Sequence, residues 1–301
     1  MPDIAGRRII VTGATGGLGF EIALQLASAG AEVTVTARDA TKGAALLARL
    51  GDALPDKRFD LVLLDLADLN DVARAADECA SLAKKLDVLI NNAGIMLVPK
   101  STTADGFELH MGTNHLGHFA WTARLLPLLA DGGRVVTVSS VAHARAKSLD
   151  LATLSPGGSP AHYHRWRAYA QSKLANLLFA DELARRAQRA GARLQSVAAH
   201  PGLAATELTQ TGLAQSSPFV GWAFTKAIRP ALQSIEAGAQ PILRAAVDPD
   251  ARNGDYFGPH RLGGIRGNAV RVAPSPLAQD QALACELWQA SERAAHLTFP
   301  I

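Results

Sequence analysis

Residues 8–19 read RIIVTGATGGLG, and an alanine- and leucine-rich segment over 20–29 follows them directly. The β-branched run over 8–11 predicts a strand, the glycine cluster predicts a tight turn, and the segment after it predicts a helix. Glycines let a backbone turn sharply and approach a pyrophosphate, which the positive end of the following helix favours. Strand, glycine turn and helix in this order predict a dinucleotide-binding site, with a purely structural turn as the alternative.

A basic residue follows the second predicted strand, where dinucleotide sites contact the adenosine ribose. The strand covers 32–36, and Ala37-Arg38-Asp39 comes after it. An acidic residue about 20 residues beyond the glycines usually holds the ribose 2′-hydroxyl, but here that position holds Ala37. A guanidinium suits a 2′-phosphate through paired hydrogen bonds, so Arg38 favours NADP(H) and leaves NAD(H) as the second choice. The alternative is that Arg38 faces solvent while Asp39 caps the next helix.

The rest of the chain continues the alternation of short apolar strands and helices. This alternation predicts one α/β domain over 1–301, with a Rossmann-like, doubly wound parallel sheet of seven strands and helices on both faces. The carboxyl ends of parallel strands meet at one edge of such a sheet, where ligands bind. The strand ends expected at that edge are the glycine turn, Asp65, Asn91-Asn92-Ala93-Gly94, Ser139-Ser140 and Pro201-Gly202.

Tyr169 and Lys173 form a candidate acid/base pair. Residues four apart lie one above the other on a helix face, and a nearby ammonium lowers a tyrosine pKa from its usual value of about 10. Such a tyrosine can exchange a proton with an alcohol or carbonyl oxygen. By itself the spacing is more typical of an ordinary surface helix. Asn114, inside a helix predicted over 107–129, is a second polar residue that needs a role or exposure to explain it.

Two irregular segments are candidates for substrate selection. The first is an insert loop over 141–168, rich in proline and glycine at its centre, where Tyr163 and Trp166 are read as pocket wall or loop anchors;. The second, over 203–230, is predicted to be a lid over the substrate, with an ordinary surface helix as the alternative.

Composition narrows the class of protein. The chain has 301 residues, 48% hydrophobic and 19% charged, which is typical of a globular protein;. The formal charge of +3 is small and scattered, so no nucleic-acid surface is indicated;. The two cysteines, Cys79 and Cys285, lie far apart, which fits a reducing compartment and gives no metal site;. No signal peptide or membrane span is indicated, so we expect a cytoplasmic protein.

In this order and spacing the motifs resemble the short-chain dehydrogenase/reductase family over essentially the whole chain. The matching motifs are Thr12-Gly13-x-x-x-Gly17-x-Gly19, Asn91-Asn92-Ala93-Gly94, Asn114, Ser140, Tyr169-x-x-x-Lys173 and Pro201-Gly202 followed by Thr206. Ala37-Arg38, the segment over 169–176 and the long insert are similar to the branch of retinol dehydrogenases and WW-domain oxidoreductase. Two features depart from the pattern. The glycines also fit the Gly13-x-x-Gly16-x-x-Gly19 spacing of epimerase-like relatives, and Thr15 is not the basic residue that NADP-preferring members often carry.

The resemblance implies a catalytic tetrad. Tyr169 would be the general acid in reduction and the general base in oxidation, and Lys173 would lower its pKa and hydrogen-bond the nicotinamide ribose. Ser140 would orient and polarise the carbonyl oxygen, and it is preferred to Ser139 because strand alternation puts only one of them on the pocket side. Asn114 would hold a water that links Lys173 to solvent.

The resemblance and the motif positions also imply cofactor and substrate contacts. The expected cofactor contacts are Gly13, Thr15, Gly16, Gly17, Leu18, Gly19, Arg38, Asp65, Leu66, Asn92, Ala93, Gly94, Tyr169, Lys173, Pro201, Gly202 and Thr206. The expected substrate pocket is apolar and consists of Met96, Val141, Leu203, Phe219 and Trp222.

The expected function is an NADP(H)-dependent oxidoreductase that interconverts an alcohol and a ketone or aldehyde on a lipophilic or aromatic small molecule. A reductase of a carbon–carbon or carbon–nitrogen double bond is the enzymatic alternative, and a non-catalytic NADP-sensing protein is the alternative of another class. The helices over 107–129 and 166–190 form the usual dimer face in this family, so a homodimer or homotetramer is expected.

Overall fold

The computed structural model describes residues 2–81, 85–204 and 233–301. Its strands form one sheet in the order β3-β2-β1-β4-β5-β6-β7-β8, parallel except for β8. The strands are β1 Arg8–Val11, β2 Glu32–Ala37, β3 Phe59–Leu63, β4 Leu86–Asn91, β5 Leu129–Val138, β6 Gln195–Ala199, β7 Tyr256–Arg261 and β8 Arg266–Arg271. The order reverses direction between β1 and β4, so the predicted doubly wound parallel sheet is confirmed.

The prediction of seven strands was wrong by one. An eighth strand pairs with the seventh in antiparallel fashion. The turn between them places Leu262, Gly263 and Gly264 at φ of 53°, 64° and 85°. Positive φ at successive turn residues matches the twist of a hairpin, and two of the three positions are glycines that adopt it without strain. In the sequence, the Gly263-Gly264 pair is the feature that indicates this hairpin.

Helices cover both faces of the sheet. They are α1 Gly17–Ser28, α2 Ala40–Ala53, α3 Leu69–Ser81, α4 Leu109–Met111, α5 Gly117–Leu125, α6 Arg165–Arg189, α7 Ile235–Val247 and α8 Gln281–Ala294. One apolar core includes Ile22 of α1, Leu46 of α2 and Ile242 of α7. The other includes Phe119 of α5 and Trp288 of α8. Because both faces of the sheet are buried, its central strands are almost continuously apolar.

The single helix predicted over 107–129 is interrupted in the structure. A π-helical turn, Gly112–Leu116, separates α4 from α5, and β5 already begins at Leu129. π-Helical turns occur often at functional sites because they shift the side chains and carbonyls of one turn. Asn114 lies in the middle of this turn.

Helix α8 covers the outer face of α5 and α6. The Trp288 ring lies 5.2 Å from the ring of Phe119 and 5.8 Å from that of Phe179, and the Phe299 ring lies 4.5 Å from Trp288. His115 Nε2 is 2.8 Å from Ser291 Oγ across the same contact. The face that was expected to carry the dimer contact is therefore packed against the chain's own carboxyl-terminal helix.

The insert over 141–168 is anchored by a buried cluster. It contains two short 3₁₀ helices, Val141–Arg145 and Leu151–Leu154, and α6 begins within it. The Tyr163 hydroxyl donates to Glu108 Oε1 at 3.1 Å and lies 2.8 Å from His110 Nδ1. Tyr163 therefore anchors the loop, and it also lines a cavity between the insert and α6, so both interpretations given for it apply.

Candidate active site

The carboxyl ends of β1 and β4 are joined by hydrogen bonds. The Thr12 hydroxyl accepts from the backbone N–H groups of Asn92 and Ala93 at 2.9 and 3.0 Å. The Asn92 side chain donates to the Thr12 carbonyl at 2.8 Å. These bonds hold the Asn91–Gly94 turn against the start of the glycine loop. Both segments therefore lie at the edge where the sequence placed them.

The glycine loop is shaped for a phosphate group. Gly13 has φ of +70°, and a Cβ there would lie 2.7 Å from the Ala93 Cα, so only glycine fits this approach;. A Cβ at Gly19 would collide with the Gly13 carbonyl. Helix α1 begins without a side-chain cap at Gly16, which leaves its first N–H groups for another acceptor;. This arrangement fits the pyrophosphate of a dinucleotide.

Two arginines lie near the expected adenosine end. Arg38 is exposed at the end of β2, and its side chain makes no hydrogen bond or ion pair within the part of the chain that the structure describes. The Asp39 carboxylate accepts from the N–H of Lys42 at 2.8 Å and so caps α2, which is the structural role given above as the alternative for this residue. The second is Arg49, which no sequence motif indicated. It donates from α2 to the Thr15 carbonyl at 3.2 Å, and its guanidinium lies 4.2 Å from the centre of the Phe20 ring.

The turn after β3 is stabilised by its own aspartate. Asp65 Oδ1 accepts from the N–H of Ala67 at 2.9 Å, which is the turn role considered as the alternative to an adenine contact. Leu66 is buried, and its carbonyl lies where a Cβ on Gly117 would be. The two residues thus lie at the predicted edge, and the Asp65 carboxylate already holds the turn.

Ser140 and Tyr169 face each other at the end of β5. Tyr169 is buried in α6, and burial raises the pKa of its hydroxyl, while a hydrogen bond with the Ser140 side chain acts in the opposite direction. This net direction differs from the lowering expected from the spacing to Lys173. Ser139 has another role, because its hydroxyl donates to the Lys173 carbonyl at 2.7 Å and ties β5 to α6. Only Ser140 is therefore directed to Tyr169.

Lys173 lies one turn further along α6. Its ammonium donates to the Val138 carbonyl at 3.1 Å, and burial lowers its pKa from 10.5 to about 8. A Cβ at Gly94 would lie 3.3 Å from Lys173 Nζ and 3.2 Å from Asn114 Oδ1. Lys173 and Asn114 therefore both adjoin Gly94.

The Asn114 side chain forms hydrogen bonds with the turn after β4 and with α6. Its Oδ1 accepts from the Ile95 N–H at 2.8 Å, and its Nδ2 donates to the Ile95 carbonyl at 3.0 Å and to Ser172 Oγ at 2.9 Å. The side chain thus fixes the turn after β4 against α6. The main-chain carbonyl of Asn114 lies 3.0 Å from His118 Nδ1.

His143 and Gly264 lie at two sides of the site, and no sequence motif indicated either residue. His143 Nδ1 lies 2.7 Å from the Ser140 carbonyl, and its Nε2 accepts from the N–H of Ser275 at 3.1 Å. A Cβ at Gly264, in the β7–β8 turn, would lie 3.4 Å from the Val141 side chain. The contacts of His143 with Ser275 and of Gly264 with Val141 are tertiary, and neither a single histidine nor a hairpin glycine indicates them in sequence.

The hairpin also holds the turn after β6. The N–H of Leu203 donates to the Ile265 carbonyl at 2.8 Å, and a Cβ at Gly202 would collide with that carbonyl. Val141 and Leu203, two of the predicted pocket residues, therefore both lie beside the hairpin, and Met96 is half-buried in the turn after β4. Thr206, Phe219 and Trp222 lie outside the described residues, as does the predicted lid beyond Ala204.

A separate cavity of about 260 Å³ lies between the insert and α6. Its lining includes Glu108, Asp150, Tyr163 and Gln171, and it includes none of Ser140, Tyr169 and Lys173. It is therefore distinct from the edge where the polar residues meet. Across the described ranges, no group of three or more side chains has the composition of a metal site, and no helix is long and apolar enough to cross a membrane.

The chain belongs to the short-chain dehydrogenase/reductase family. A family model described as short chain dehydrogenase matches residues 7–150. Human retinol dehydrogenase 12 is 36% identical over 293 residues, which are 96% of this chain and 86% of that protein. Mouse polyprenol dehydrogenase is 38% identical over 301 residues, covering 96% of this chain and 83% of its own. The predicted resemblance to the retinol dehydrogenase branch is thereby confirmed.

Solved structures agree with this assignment. An uncharacterised protein from Mycobacterium paratuberculosis superposes with a TM-score of 0.81 at 40% identity, covering all of this chain and 97% of its own. Pseudomonas aeruginosa RhlG, solved with NADP in its active site, gives a TM-score of 0.65 at 26% identity over 84% of this chain and 94% of its own. As a member of this family, the protein is an oxidoreductase that uses a nicotinamide cofactor.

Burial of Lys173 makes the stability of the free protein depend on pH. Its pKa is about 8 in the folded protein and 10.5 ordinarily, so between these values the unfolded chain binds more protons;. The free energy of unfolding should therefore rise between pH 8 and about 9.5. Denaturant titrations without cofactor should show this rise in the wild type and lose it in Lys173→Met. Parallel pH curves for the two proteins would contradict the assignment.

Proposed function

We propose that the protein interconverts an alcohol and a ketone or aldehyde on a lipophilic small molecule, with NADP(H) as its preferred cofactor. The observation that carries the proposal is the meeting of Ser140, Tyr169 and Lys173 beside the glycine loop. The Ser140 side chain interacts with the Tyr169 hydroxyl, so two hydroxyl groups lie around the position proposed for one substrate oxygen. This arrangement suits a reaction in which a carbon and its oxygen exchange a hydride and a proton.

Tyr169 and Ser140 have different roles at the substrate oxygen. The bound nicotinamide supplies or accepts the hydride. In reduction, the Tyr169 hydroxyl gives its proton to the carbonyl oxygen while Ser140 donates a hydrogen bond to the charge that develops there. In oxidation, Tyr169 takes the proton from the alcohol. Burial raises the pKa of Tyr169 and so keeps it protonated as an acid. For the reverse direction, we propose that the positive charge of Lys173 favours the phenolate once substrate and cofactor are bound.

The preference for NADP(H) rests on two arginines. Arg38 follows the second strand without an intramolecular partner among the described residues, and Arg49 lies against the carbonyl of Thr15 in the glycine loop. Arg49 supplies a positive charge near the loop position where Thr15 itself is neutral. Guanidinium groups bind phosphate through paired hydrogen bonds, so both support recognition of a 2′-phosphate.

The substrate class rests on the pocket and the relatives. Met96, Val141 and Leu203 are apolar and half-buried at the edge of the sheet. Relatives are named for retinol and polyprenol, which are lipophilic alcohols. Their names and the apolar lining support a lipophilic alcohol or carbonyl compound for this protein too. The cytoplasmic location expected from the sequence stays a prediction.

The expected homodimer or homotetramer would have to use a surface other than the predicted one. Helix α8 packs on α5 and α6 through Trp288 and Phe299, so that face is already buried within one chain. Assembly through α5 and α6 would require α8 to leave a core contact. We therefore propose that any oligomer of this protein forms elsewhere.

Replacing Tyr169 with Phe removes the proposed acid/base. Turnover should fall by about 10²- to 10⁴-fold because the proton transfer is lost, while NADPH binding, followed by fluorescence, should change little. The assay is NADPH absorbance with a panel of lipophilic alcohols, aldehydes and ketones. Tyr163→Phe is the matched control, since that hydroxyl anchors the insert, and it should keep turnover. Unchanged turnover in Tyr169→Phe would refute the mechanism.

Replacing Arg38 with Ala tests the cofactor preference. The Kd for NADPH should rise by about tenfold or more, because a charge-assisted contact contributes about 1.5–3 kcal/mol, while the Kd for NADH should stay nearly constant. Arg252→Ala, an exposed arginine before β7, serves as the control and should change neither value. Equal losses for NADPH and NADH would contradict the 2′-phosphate role of Arg38.

A further inference from the structure

His118 is a buried residue of α5 for which the proposed reaction has no role so far. Its side chain is 2% exposed. Its Nε2 lies 2.9 Å from the Thr12 hydroxyl and its Nδ1 lies 3.0 Å from the Asn114 carbonyl. The ring therefore connects the strand end that shapes the cofactor site with the π-helical turn that carries Asn114.

The partners of Thr12 determine which nitrogen of His118 carries the proton. The Thr12 oxygen already accepts from two backbone N–H groups, those of Asn92 and Ala93. Its own proton is left for an acceptor, and His118 Nε2 at 2.9 Å is closer than the Ile90 carbonyl at 3.4 Å. Nε2 therefore accepts from Thr12.

The opposite nitrogen then acts as a donor. Burial and, to a smaller extent, the nearby charge of Lys173 lower the pKa of His118 to about 4, so the ring is neutral near pH 7. A neutral imidazole that accepts at Nε2 carries its proton on Nδ1. Nδ1 consequently donates to the Asn114 carbonyl, and one tautomer satisfies both contacts.

The Asn114 carbonyl is the group of that residue that remains for the reaction. The Asn114 side chain is occupied by Ile95 and Ser172, and its Oδ1, like Lys173 Nζ, lies close to Gly94. The family resemblance implies that Asn114 holds a water linking Lys173 to solvent, and such a link would resupply the proton that Tyr169 gives away in the proposed reaction. The orientation of its carbonyl is set by the Nδ1–H of His118.

We propose that His118 is a positioning residue that fixes the Asn114 carbonyl, and through it couples the turn at the cofactor site to the supply of protons to Lys173. This inference rests on the proposed function, since it assigns His118 to the same proton path. A buried ring held between two hydrogen bonds leaves little freedom to the carbonyl it contacts. Loss of the ring would loosen the path without changing any group that touches the substrate.

Two substitutions separate this role from a general loss of structure. His118→Phe keeps a ring of similar size and removes both hydrogen bonds, so kcat should fall by about tenfold, the equivalent of about 1.4 kcal/mol. The Kd for NADPH should stay within about threefold, which is under 1 kcal/mol. His118→Asn places an amide near the position of Nδ1, where it can still donate to the carbonyl of residue 114, and should keep kcat within about threefold of the wild type.

Isotope effects identify the step that changes. In His118→Phe the solvent isotope effect on kcat should rise and the primary effect of [4-²H]NADPH should fall, because proton supply becomes slower than hydride transfer. Wild-type kcat in His118→Phe would overturn the proposal. So would a rise in the NADPH Kd equal to the loss in kcat with unchanged isotope effects, since that pattern indicates only a damaged fold.

The tautomer provides a readout that does not depend on turnover. Long-range ¹H–¹⁵N spectra of the wild-type protein at neutral pH, with His118 assigned through His118→Asn, should show His118 protonated at Nδ1 only. A proton on Nε2, or on both nitrogens, would overturn the proposal even if His118→Phe fails to fold. An inactive wild type with the expected tautomer would instead count against the proposed function and leave the hydrogen-bond assignment standing.

Discussion

The arrangement of the site depends on the hydrogen bonds that the Thr12 hydroxyl accepts. This hydroxyl lies at the carboxyl end of β1, is fully buried, and accepts the first two N–H groups of the turn that leaves β4. A buried backbone N–H without an acceptor is costly, so these two bonds fix how closely the two strand ends approach. Gly13 and Ala93 come together as a result, and the glycine loop acquires the shape that suits a phosphate. One short side chain thus relates the cofactor site to the Asn91–Gly94 turn.

Burial sets the electrostatics of the reacting groups. Tyr169 and Lys173 are both removed from water, which raises the pKa of the phenol and lowers that of the ammonium. Each shift favours the neutral form, as desolvation requires. In the free protein, Lys173 compensates by donating to the Val138 carbonyl, and Tyr169 interacts with Ser140. The site is therefore a polar cluster held inside an apolar core, with its own hydrogen bonds satisfied by neighbouring strand ends.

The sequence was sufficient for features that are local or periodic. The strand, glycine turn and helix over 8–29 and the sheet edge that collects Asn92, Ser140 and Tyr169 could all be predicted, because short patterns and the rules of parallel sheets determine them. It was less informative where distant segments meet. The packing of α8 on α5, the contact of Arg49 with Thr15 and that of His143 with Ser275 depend on tertiary packing, which an isolated tryptophan, arginine or histidine does not indicate. The direction of the Tyr169 pKa was missed for the same reason, since burial cannot be read from a four-residue spacing.

The central claim, that this site exchanges a hydride and a proton with a carbon–oxygen bond, is tested most directly by following the hydrogen itself. The protein would be incubated with [4-²H]NADPH and an α,β-unsaturated lipophilic aldehyde, and the product examined by mass spectrometry and NMR. We expect an alcohol that carries one deuterium on the former carbonyl carbon and none on the carbons of the double bond. Deuterium at the β-carbon of an intact aldehyde would contradict carbonyl chemistry at this site.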